Sequence, residues 1–178
     1  MGSPQTLSEA DRRAVALWAA DCAERVLALF EAEAPSDGRP ADALARARAF
    51  GDGELDAAGQ IRERFVAGRA AGVVAGPAAV AAARAAAQAS GVAHMGAHAL
   101  GAAAYAAKAA GLAAGRDDVI DAEIDWQLDH MTQPVRAALR RLPLLGADQA
   151  GPLGSGLLAS GVLGSIIRKL QVGLSEPS

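Results

Sequence analysis

The chain carries its chemistry in one stretch, Ala93–Ala110, AHMGAHALGAAAYAAKAA. It is almost wholly alanine and glycine, yet it holds two of the three histidines, the single tyrosine and a lysine. At ~100° per residue, His94, His98, Gly101, Tyr105, Lys108 and Leu112 share one face of a helix. His94 and His98 stand at i and i+4, a spacing that presents two imidazoles together and is used for zinc. Residues Met95, Gly96 and Ala97 between them supply no HExxH glutamate. A third ligand must come from elsewhere: Cys22, Asp21, Glu24, Glu123 or His130. A metal or haem site on His94 or His98 is therefore open but not favoured, and no cofactor is predicted.

Two other chemistries suit the same face. In the first, His94 and His98 hydrogen-bond buried acidic groups of helix one, because a buried imidazole needs polar partners. In the second, Gly101 and its alanine neighbours leave a cleft beside His98 and Tyr105. With Trp18, Asp21, Cys22 and Trp126 it would bind a small planar or polar ligand. Catalytic candidates in such a cleft are His94, His98, Asp21, Glu24 and Tyr105. Cys22 reads first as a small buried hydrophobe. A Cys–His nucleophile pair would need a lowered thiol pKa.

These groups require helices to hold them. The chain has 178 residues, 52% hydrophobic but only 3% aromatic. Alanine dominates, so closely packed helices with a few large anchors are expected: Trp18, Phe30, Phe50, Phe65, Tyr105 and Trp126. The fold class is all-α, a compact bundle of about seven helices plus an amphipathic C-terminal helix. Helix one runs from near Ser8 to about Ala34, with a Thr6/Glu9 capping box after a frayed Met1–Thr6. Helix two opens at Pro40 and ends near Phe50. Helix three spans about Glu54–Ala71, with Leu55, Ile61 and Phe65 toward the core. Helix four starts at Pro77 and ends near Gly91. Helix five covers about Val92–Ala114 and is capped by Gly115. Helix six runs from Asp117 or Asp118 to about Met131, and a short helix seven from Thr132 to about Leu142.

The composition then changes, and we divide the chain into a helical domain, residues 1–142, and a linker with a Gly/Leu-rich tail, residues 143–178. In the tail Leu153, Leu157, Val162, Ile166, Ile167 and Leu170 recur at helical spacing. Such a helix docks on the body, mediates self-association, or touches a membrane surface.

Net charge is −3. No basic patch with interleaved aromatics points to nucleic acid. A lone cysteine fits the reducing cytoplasm, and no apolar run reaches the ~18 residues of a spanning helix.

Several segments resemble the bacterial putative immunity protein family, named for polymorphic-toxin immunity domains. They are Leu17–Leu27 (LWAADCAERVL), Asp37–Pro40 (DGRP), Ala47–Phe50, Ala93–Lys108 (AHMGAHALGAAAYAAK) and Trp126-Gln127 in EIDWQL. Order and spacing fit over roughly residues 8–142; the tail does not match. The resemblance implies an all-helical fold and a self-protection protein that binds a partner protein or toxin without catalysis. Small-molecule binding through the His/Tyr/Asp face is the alternative.

Overall fold

The computed structural model describes residues 2–176, apart from the side chains of residues 61–64. Eight α-helices follow in order among these residues: α1 (Glu9–Glu31), α2 (Arg39–Gly51), α3 (Ala57–Ala70), α4 (Pro77–Gly91), α5 (His98–Ala114), α6 (Asp117–Asp129), α7 (Gln133–Leu139) and α8 (Gly161–Ser175). No strand occurs among the described residues, so the fold is all-α.

Local chemistry sets most boundaries. Ser8, not Thr6, caps α1, its side chain accepting from the Asp11 N–H. Asp56 and Thr132 do the same for α3 and α7. Pro40 and Pro77 stand in the first turns of α2 and α4, where a missing N–H costs nothing. Gly115 ends α5 in the left-handed region, at φ 64°.

α5 sits at the centre, with α4 and α1 against it, α6 and α8 on further sides. α4 and α5 are both rich in buried alanine: Ala82, Ala85, Ala86 and Ala89 on one helix, Ala99, Ala102 and Ala106 on the other. Side chains this small bring helix axes close together. Trp18, Phe30, Phe50 and Tyr105 supply bulk as expected. Phe65 does not, being 60% exposed, and Leu55 is also at the surface. α3 instead turns Gln60, Ala67 and Ala70 inward, the small residues that its close approach to α4 requires. Ile61 lies outside the described side chains.

Two features complete the layout, and the first departs from expectation. The first is an N-terminal strap over residues 3–7, in place of a frayed end. The Gly96 and Ala97 N–H groups donate to the Thr6 and Gln5 carbonyls, both at 3.0 Å. Those amides are thereby withdrawn from an i→i−4 ladder, and α5 begins at His98 rather than Val92. The buried Gln5 amide also donates to Asp148 Oδ2 (2.7 Å) and the Ala150 carbonyl (2.8 Å), and its Oε1 accepts from Leu153 N–H (2.9 Å). The second concerns the residues 143–178 set apart as a linker and tail: the tail docks on the body, the first of the expected alternatives. Leu163, Ile166, Ile167, Leu170 and Leu174 are buried, with α8 lying against α5 and α6. Arg136 on α7 and Arg140 at its C-cap donate to the carbonyls of Gly173 and Leu174 at the last turn of α8. These are the orphan acceptors of a helix C-terminus, where a cation also meets the favourable end of the dipole.

Candidate functional site

The histidines occupy a different place from the one their spacing suggests. Only His98 is on α5; His94 is exposed in the turn that joins α4 to α5. The strap that delays the start of α5 removes the i/i+4 geometry, and with it the expected zinc-like pair on one helix face. Among the described residues, no group of three or more His, Cys, Asp and Glu side chains converges on a metal position.

His98 is positioned from α4. Its Nδ1 lies 2.8 Å from Gln88 Oε1, and with the amide oxygen as acceptor the proton resides on Nδ1. The ring lies over Gly91, where a Cβ would stand 3.0 Å from His98 Cγ and Cδ2. Gln88 reaches this point because Gly101 leaves a notch in α5; a Cβ there would stand 2.9 Å from the Gln88 amide carbon and 3.1 Å from Leu158 Cδ1. Gln88 and the tail residue Leu158 therefore fill the expected opening beside Gly101. Tyr105, one turn further on, is buried.

What remains open is a surface groove of about 560 Å³ between α3 and the α4–α5 turn. Phe65 and Arg69 line it from α3, Gln88 and Gly91 from α4, and His94 and His98 from the turn and α5.

The α1 candidates lie elsewhere. Asp21 and Glu24 both grip Arg48 of α2 in ion pairs. Burial works against the Arg48 charge, but the two carboxylates more than offset it and raise its pKa. The expected meeting of His94 and His98 with Asp21 or Glu24 is thus replaced by an α1–α2 clamp, while His98 engages α4. Cys22 is fully buried, and burial, followed by the Glu123 and Asp21 charges, pushes its thiol well up. It is a neutral packing group, which removes the Cys–His nucleophile reading.

Trp18 and Trp126 belong to the joint between α1 and α6. Trp18 Nε1–H donates to the Gln127 carbonyl at 2.9 Å, and the Gln127 amide donates to the Ala103 carbonyl at 3.0 Å. Arg25 forms a two-pronged ion pair with Glu123, at 2.6 and 3.0 Å, and lays its guanidinium 3.9 Å above the Trp126 ring. The Glu123 hydrogen bond raises the Arg25 pKa despite partial burial. His130 stacks on Trp126, the two ring centroids 4.0 Å apart. Trp18 and Trp126 thus have structural partners, and Cys22 is packed in the core.

Sequence reasoning did not single out Arg48, Gln88 or Arg69. Gln88 had a readable signal, as an isolated amide within the alanine run of α4. Arg48 and Arg69 had none, because their roles depend on how α2 and α3 dock.

The fold places the chain among all-helical proteins whose core is alanine packed on alanine. Its family is defined by sequence: residues 5–134 match the Imm-5 like putative immunity protein family, and the chain belongs to it. The tail segment that closes the Gly101 notch lies beyond the matched span. No curated protein and no solved structure matches the chain. No described helix is long and apolar enough to cross a membrane.

Proposed function

We propose that this chain is a non-enzymatic immunity protein that neutralises a toxin by binding it as a stoichiometric partner in the cytoplasm. Family membership supports the class. The observation that carries the mode of action is the filling of the Gly101 notch by Gln88 and Leu158. A small-molecule or catalytic site of the expected kind needs that space, together with histidines meeting the α1 acids. Asp21 and Glu24 are instead engaged by Arg48. An open groove with an exposed aromatic, an arginine and two histidines is the composition of a protein-binding surface. The buried thiol of Cys22 needs no oxidising compartment.

The test is co-expression with the toxin domains encoded in the source genome. Growth should be restored against one of them, and the purified pair should run as a fixed-ratio complex by light scattering. Rescue without a complex would point to enzymatic detoxification and overturn the proposal, as would failure to rescue against every toxin domain.

A further inference from the structure

We infer that the groove between α3 and the α4–α5 turn is the docking face for an acidic segment of the protein partner, one that sets an apolar side chain beside its carboxylates. The inference rests on the partner-binding reading above and adds the surface and the chemistry it recognises.

Charge is the first argument. The chain has 20 Asp and Glu against 17 Lys and Arg, yet the described lining of this groove contains Arg69, two histidines (His94 and His98) and no carboxylate. Arg84 extends the basic side, lying at i−4 from Gln88 and i−7 from Gly91 on the same face of α4. Elsewhere Arg13, Arg25, Arg39, Arg48, Arg116 and Arg141 hold carboxylates, whereas Arg46 has Nε and Nη2 buried without a hydrogen bond among the described residues. Arg69 and Arg84 have neither an ion pair nor a hydrogen bond among the described residues. A guanidinium left in this state is suited to a two-pronged bond from an incoming carboxylate.

Shape is the second. Gly68 and Ala87 give the groove an apolar floor where α3 and α4 approach closely, and Phe65 stands over it, 60% exposed. That combination accepts an aliphatic or aromatic anchor, the usual centre of an interface. The third argument is rigidity. Gln88 and Gly91 fix the His98 ring before any partner arrives, which lowers the ordering cost of binding.

The test is a backbone amide NMR titration of the full chain with synthetic peptides. One peptide is rich in Asp and Glu around a central Leu. A second has Gln and Asn in place of the acids, and a third has Ser in place of Leu. The acidic peptide should give saturating shifts in residues 65–69 and 87–98. Either analogue should bind about tenfold more weakly, as should the acidic peptide to Arg69→Gln, whose melting temperature should match the parent. Equal binding of all three peptides, or shifts confined to other surfaces, would overturn the inference. So would the same shifts on concentrating the chain alone, which would mean a second copy, or saturation by oligothymidylate, which would mean nucleic acid. The two proposals fail separately. Arg69→Gln that still neutralises the toxin at full strength sinks this docking face and leaves partner binding standing. A parent chain that binds the acidic peptide here but neutralises nothing sinks the immunity reading.

Discussion

Gly101 and Gln88 show how a single missing side chain can decide what a helix face does. The expected face of His98, Gly101 and Tyr105 is real in register, and its residue types were legible. Its occupant was not, because Gln88 comes from α4 and Leu158 from the tail, and helical spacing carries no information about either. The geometry separates two glycine substitutions. Gly101→Ala places a Cβ against the end of a flexible amide and one methyl group of Leu158. Both can shift, and alanine improves helix propensity by about 1 kcal/mol. Stability should therefore stay within about 1 kcal/mol of the parent by urea unfolding. The displaced Gln88 should release His98 Nδ1, seen as a changed ring signal in histidine NMR. Gly164→Ala instead drives a Cβ onto the backbone of Ala159, whose carbonyl carbon would be 2.6 Å away. Backbone has nowhere to move, and a loss of roughly 1–3 kcal/mol is expected.

At the level of elements, the helix caps were the most readable signals. Pro40, Pro77, Thr132 and Gly115 mark boundaries through local chemistry that the structure keeps. The start of α5 was misread because it is set from a distance. Gly96 and Ala97 give their N–H groups to the strap, and no local pattern announces a partner some ninety residues away. α3 was misread for a related reason: Phe65 is the larger group, but α4 offers it only a wall of alanines. The tail helix had a legible apolar stripe, and the stripe is used against α5 and α6. Its inner and outer positions should therefore respond differently. Leu170→Ala empties a fully buried site and should cost about 2–5 kcal/mol. Val172→Ala, at a position 63% exposed, should change unfolding by less than about 0.5 kcal/mol. Equal effects would mean that α8 does not hold the body in solution.

For the whole molecule, charge links the two ends of the helical body. Asp11 near the start of α1 pairs with Arg141 just beyond α7, at 2.6 Å. Burial tends to raise the Asp11 pKa, but the Ser8 hydroxyl and Arg141 outweigh it and hold the pKa below its ordinary 3.8. The folded state thus favours the carboxylate. That contribution is present above the unfolded-state pKa of about 4 and is lost as pH falls through the lower folded value. Asp11→Asn should be less stable than the parent at neutral pH. The gap should close as the solution is acidified below about pH 4, and a gap that widens in acid would contradict the sign.

The alanine contact between α4 and α5 also reaches beyond the native state. Alanine has no rotamers to lose on burial and is the strongest of helix formers. The same residues that let two axes approach closely will bias the denatured chain toward fluctuating helix over residues 77–91 and 98–114. Folding of this region is then less a matter of making helices than of docking segments already partly wound, with the strap and tail fixing their final angle.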